Sequence, residues 1–166
     1  RHDVVVLLRP FSEIDDAVGR FEKITGPDGY YLGFTYDALD RPVRTIFPDG
    51  TYTETTYQAL DPATSRDRLG RITSYAHNSL RQLASVTDPA NRTTQFTWCK
   101  CGDMRQLIDP MGRITSWKHD VAGRITQKIY TDSSAISFAY EPLSGRLLSV
   151  TDEKGQVKTL GYKLDD

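Results

Sequence analysis

The chain has 166 residues, a net charge of −1, 38% hydrophobic residues, 12 glycines and 8 prolines. So balanced a charge excludes the basic footprint of a nucleic-acid binder, and no apolar run approaches the ~18–20 residues of a membrane-spanning helix. Many turn formers and modest apolar content point to short strands rather than helices, and two cysteines do not make a disulfide framework.

Residues 1–15 read as an N-terminal strand or partial repeat, with an aliphatic run from Asp3 to Leu8 ended by Pro10. Arg1 opens the chain without a secretory signal pattern, so it reads as an excised piece of a longer protein. Residues 16–166 read as one continuous domain of tandem repeats. A glycine slot is filled by Gly29, Gly50, Gly70, Asn91, Gly112, Ser133 and Gly155, at steps of 21, 20, 21, 21, 21 and 22 residues. A ring slot seven residues later holds Tyr36, Tyr57, His77, Trp98, His119, Tyr140 and Tyr162. A repeat of this period is the organising feature of the fold.

Each period contains two turns. One is acidic and ends in Gly-Arg, as in Asp16–Arg20 and Asp120–Arg124; Asp40 takes the glycine place in the second copy, and Gly123 and Gly145 hold it in later ones. The other is Pro-bearing, as in Asp109–Gly112. Proline presets φ at the second turn position and glycine or asparagine tolerates positive φ at the fourth, as a type I turn with a following bulge requires. Two turns in about 21 residues leave two strands of about 6–7 residues, a β-hairpin repeated in series. Gln58 to Arg68 is the least regular stretch and reads as a loop or local distortion. Along the strand before each ring slot, rings alternate with small or polar residues, as in Phe96/Trp98 against Gln95/Thr97. The return strands break that parity: Met104 and Leu107, or Leu147 and Val150, are three apart. A bulge or burial on both faces accounts for this. The predicted fold class is all-β, with serial antiparallel hairpins forming a curved, spiralling sheet. A β-propeller, whose blades need ~40–45 residues, is the alternative.

Chemistry-bearing candidates are few. His77 and His119 stand in the ring slot and read as packing residues. No Ser/His/Asp spacing suggests a nucleophile. Cys99 and Cys101 are weak metal candidates, since a structural zinc site needs four ligands and the rings of adjacent repeats lie roughly 10 Å away. Both cysteines are expected as thiols, Cys99 in the acidic slot, with no metal and no cofactor. The arginines that follow turn glycines are expected to pair with turn acids. The aromatic face reads as packing; the alternative is a surface that stacks on glycan or protein.

Trp117 to Ile125, Phe34 to Arg41 and Leu83 to Pro89 closely resemble the YD repeats of the RHS family, with the pattern Gly-Arg-x-x-x-x-Tyr-x-Tyr-Asp-x-x-Gly-Arg-Leu-x-x-x-x-Asp-Pro-x-Gly. The resemblance runs from about Asp16 to the C-terminus. His77 and His119 depart from it at the tyrosine, and Asn78, Cys99, Glu141 and Lys163 at the acid. It implies a non-enzymatic wall segment of a β-shell, from a secreted or cell-surface protein, that encapsulates or presents a C-terminal toxin or effector domain. The implied partners are the rest of the shell and the enclosed domain. The runner-up is an adhesion module that uses the aromatic face on glycan or a cell-surface protein.

Overall fold

The computed structural model describes residues 12–163. The strand expected over Asp3–Leu8 lies outside the described residues. Within them the chain is all strand and turn: β1 (Ser12–Asp15), β2 (Phe21–Thr25), β3 (Tyr31–Tyr36), β4 (Pro42–Ile46), β5 (Tyr52–Gln58), β6 (Asp61–Arg66), β7 (Ile72–His77), β8 (Leu83–Thr87), β9 (Thr93–Trp98), β10 (Met104–Ile108), β11 (Ile114–His119), β12 (Ile125–Ile129), β13 (Ala135–Tyr140), β14 (Leu147–Thr151) and β15 (Val157–Thr159). They lie in one sheet in sequence order, β1 at one edge and β15 at the other. No four-stranded blades form, so the propeller alternative has no support. The chain divides into two compact units: one runs to Tyr75 and takes in Asp88–Ala90, and the other holds Ala76–Thr87 and everything from Asn91.

The strands form where alternation and β-propensity agree. In β9 the exposed Gln95 and Thr97 alternate with the half-buried Phe96 and Trp98. Cross-strand pairs reinforce the register: Thr56 and Thr64 share a hydroxyl hydrogen bond of 2.6 Å, and Arg44 pairs with Glu54 directly opposite. The sheet has no second layer among the described residues. Only Cys99, 8% exposed, is buried there, and the strand interiors are otherwise half-covered.

A bulge resolves the broken parity of the return strands. Tyr36 pairs with Pro42 while Thr35 pairs with Arg44, leaving Val43 as the extra residue. The same slip leaves Arg105, Thr126 and Leu148 over at the corresponding places of later hairpins. Each extra residue returns the strand's apolar positions to one face. The stretch from Gln58 is a correction to the sequence reading. It is no loop: Gln58 pairs with Asp61, Ala59 and Leu60 form a two-residue turn, and β6 follows with the same bulge, Tyr57 facing Pro62 and Thr56 facing Thr64 with Ala63 left over. Ala59 has φ 52°, the position where such a turn favours glycine.

Candidate functional site

The hairpin corners share one construction at both ends of the strands. The N–H of the first turn residue bonds the carbonyl four residues on, and the N–H of the fourth bonds the carbonyl of the first. In Asp120–Arg124 these bonds are 3.0 and 3.1 Å. The fourth residue carries positive φ, 79° at Gly123 and 78° at Gly112. Where glycine is missing, Asp40 (59°), Asn91 (59°) and Ser133 (69°) adopt it. Asp120 Oδ1 then accepts from the N–H groups of Ala122 and Arg124, at 2.9 and 3.0 Å. Its other oxygen, Oδ2, accepts from Arg124 Nε at 2.7 Å. Asp16–Arg20, Asp37–Arg41, Asp67–Arg71 and Asp109–Arg113 repeat the ion pair four residues apart, so these arginines pair with turn acids. The pairing holds the carboxyl below its ordinary range. For Asp120 the Arg124 side chain is the first cause and its backbone N–H the second; for Asp109 the Arg113 N–H comes first.

At the ring-slot end the arginine also reaches forward to the next repeat. The guanidinium carbons of Arg20, Arg41, Arg124 and Arg146 lie 4.7, 3.8, 4.7 and 5.0 Å from the ring centres of Tyr36, Tyr57, Tyr140 and Tyr162. Arg20 continues to the carboxylate of Asp40, and Arg41 Nη1 donates to the carbonyl of Ala59 at 3.0 Å. The rings reach back. Tyr36, Tyr140 and Tyr162 donate their hydroxyls to the carbonyls of Phe21, Ile125 and Leu147 at 3.0, 2.8 and 2.9 Å. Trp98 Nε1 donates to Leu83 O at 2.7 Å. Each of these carbonyls sits at the start of a return strand, and those of Phe21, Ile125 and Leu147 lie beside the bulge that interrupts the ladder. The rings are therefore polar caps as well as packing groups. The contact at these four joins is guanidinium on ring. Its sequence signal is a spacing of sixteen between arginine and ring.

Copies that depart from the pattern rebuild the corner with other atoms. Asn78 Oδ1 accepts from the N–H groups of Leu80 and Gln82 at 2.9 and 3.0 Å, and its Nδ2 donates to Gln82 Oε1 at 2.8 Å. The amide pair replaces the Asp–Arg pair without charge. Glu141 opens a turn one residue longer, closed between its N–H and Arg146 O at 2.8 Å. Cys99 Sγ accepts from the N–H groups of Cys101 and Asp103 at 3.1 and 3.2 Å, the same two positions an aspartate serves. Asp103 stands where the arginine would, and its carboxylate lies 3.9 Å from the place a Cβ would take if Gly123, in the following turn, carried one.

The cysteines correct a second expectation. They are not thiols; Cys99 and Cys101 form a disulfide. Two residues apart on an extended strand they would be poorly placed, but the turn brings their Cα atoms to 5.1 Å, inside the usual range for a bridge. Their ligand atoms and that of Asp103 lie within 4.8 Å of one another. His119, at the end of β11, lines the same cleft of about 410 Å³ as Cys99, Cys101 and Asp103. A larger cleft of about 660 Å³ lies at the other strand ends, lined by Leu107, Arg113, Tyr130 and Thr131 among others. His77 ends β7 in its ring slot.

Residues 16–53 match the family model described as RHS Repeat. That stretch holds the first two acid-to-arginine turns and the Tyr36 ring, so the resemblance read from the repeats is shown. No curated protein matches the chain. Among solved structures, the crystal structure of TcdB2-TccC3-TEV is similar with a TM-score of 0.51 and 16% identity, over 84% of this chain and 10% of that one. TcdB2-TccC3 without its hypervariable C-terminal region gives a TM-score of 0.46 and 14% identity over 86% and 11% of the two chains. The Photorhabdus luminescens Tc holotoxin pore gives 0.40 and 13% over 89% and 13%. The chain spans about a tenth of the length of the structures it matches. The likeness to the first of them is one of fold.

Proposed function

We propose that this chain is a wall segment of an RHS-type β-shell, a non-enzymatic scaffold that encloses or presents an effector domain belonging to the same longer protein. The observation that carries the reading is the forward-reaching ladder, in which Arg20, Arg41, Arg124 and Arg146 each join one hairpin to the ring of the next. Asp120 holds Arg124, Arg124 covers Tyr140, and Tyr140 caps Ile125. Such a device can build a wall of any length. The RHS Repeat match and the fold shared with a TcdB2-TccC3 structure support the same reading. The reading takes the partners to be neighbouring repeats and the enclosed domain, the location to be secreted or cell-surface, and the repeats to need no metal or cofactor.

The glycan-binding alternative is not favoured, because sugars stack on ring faces and here guanidinium groups lie over the rings of Tyr36, Tyr57 and Tyr140. The test is limited proteolysis of the full-length parent chain. A C-terminal domain inside a shell is cut far more slowly than the same domain expressed alone. Equal cleavage rates would overturn the enclosing role.

A further inference from the structure

We propose that the Cys99–Cys101 disulfide is a thiol–disulfide exchange site that accepts electrons from dithiols, an activity independent of the wall role. The disulfide contributes little as a staple, because the entropy gained by closing a loop falls with its length and this one joins residues two apart. The corner is also already held by the device used in the other turns. What distinguishes the bridge is the polarity of its two sulfurs. Cys99 Sγ is buried and receives two backbone N–H groups in a position that carries a carboxylate in Asp16, Asp37 and Asp120. That position suits an anion. Cys101 is exposed, and its sulfur lies 3.4 Å from the Asp103 carboxylate, which disfavours negative charge there. Arg105 and Lys118 line the cleft over the bridge together with Asp103 and Asp120, so two cations there offset the two carboxylates that an incoming thiolate meets.

Burial, hydrogen bonding and charge therefore select one direction of attack. A thiolate attacks Cys101 Sγ, a new sulfur–sulfur bond forms there, the Cys99–Cys101 bond breaks, and the electron pair leaves on Cys99 as a thiolate stabilised by the two N–H groups. The second thiol of the attacker, as its thiolate, then displaces Cys101. The net change is oxidation of one dithiol to a disulfide and reduction of the cysteine pair by two electrons and two protons. Reduced Cys99 still accepts the same two hydrogen bonds, so the turn survives each cycle.

The experiment treats the oxidised chain with glutathione near neutral pH, quenches with acid, alkylates free thiols and maps the peptides. The expected result is a glutathione adduct on Cys101 with free Cys99, in a ratio on the order of ten to one or more. Asp103→Asn should narrow that ratio. Dithiothreitol should reduce the pair without loss of the far-ultraviolet β signal, and the double variant Cys99→Asp, Cys101→Ser should keep that signal while losing exchange. Adducts on Cys99, or no adduct, would overturn the proposal. Loss of the β signal on reduction would show the bridge to be a staple and would overturn it as well.

Discussion

A side-chain acceptor that meets the N–H groups two and four residues ahead of it can fix a hairpin corner whatever its charge. Asp120, Asn78 and Cys99 do so with a carboxylate, an amide and a sulfur. The charge adds the second bond, to the arginine. The carboxyls of Asp16, Asp37, Asp109 and Asp120 are all held below their ordinary 3.8 in the folded chain. Each therefore contributes stability at pH values above that of the unfolded group, and loses it as pH falls through the lower folded value. Asp120→Asn keeps the acceptor and removes the charge that Arg124 pairs with. The variant should melt below wild type at pH 7, and the gap should close once the pH drops below 3.8 and further through the folded value. Added salt should narrow it at pH 7, since the pair is partly exposed. Thermal melts from pH 2 to 7 decide this, and a gap that widens in acid would contradict the ion-pair account. The acid, the glycine and their arginine were legible in the sequence because the same residues recur at one spacing. The bridge between Cys99 and Cys101 was not, because a bridge across a single residue reads as strained until the corner is seen to bring the two Cα atoms to 5.1 Å.

Hairpin register is set where strand meets turn. The ring residues stand beside bulges, and Pro42, Met104, Ile125 and Leu147 face them across the strand pair. Parity alone could signal that something interrupts the return strands but could not separate a bulge from burial on both faces. The paired register separates them. β6 was missed for a related reason: Gln58-Ala59-Leu60-Asp61 contains no glycine, asparagine or proline and does not open on an acid. The chain takes the turn regardless and places Ala59 at φ 52°. Ala59→Gly should relieve this and stabilise the protein by about 0.5–1 kcal/mol, reduced by the extra freedom glycine brings to the unfolded chain. Gly123→Ala, at φ 79° in an ordinary corner, should destabilise by a similar amount. Denaturant midpoints measure both, and the account fails if the two variants shift in the same direction.

Over the whole sheet, pairing is sequential, so two edges are left among the described strands, β1 and β15. Leu160 N–H bonds Leu148 O at 2.8 Å, and by alternation the Thr159 N–H points away from β14. An exposed edge recruits further strands. The isolated chain should therefore self-associate as concentration rises, and Thr159→Pro, which removes an outward donor while sparing the ladder, should reduce this. Light scattering across a concentration series is the measurement, and a constant monomer mass would refute the open-edge reading. The sequential order followed from the repeat period. The join between repeats did not, since it lies in a spacing of sixteen from Arg20 to Tyr36 or Arg124 to Tyr140, which no single turn displays. The same spacing pairs Asp61 with His77 and Asp103 with His119, so both histidines stand where the preceding arginine has become an aspartate.

That join also has a direction. Arg20, Arg41, Arg124 and Arg146 cover rings sixteen residues downstream, and Tyr36, Trp98, Tyr140 and Tyr162 cap carbonyls fifteen residues upstream, so these links close within about one period of the chain. A β-protein with contacts this local has a low contact order and avoids the slow search that distant strand pairing imposes. During synthesis a finished hairpin presents a covered turn and a waiting guanidinium to the next hairpin as it leaves the ribosome. Growth can thus proceed vectorially, each new unit completing its predecessor, without any step that must wait for the far end of the protein.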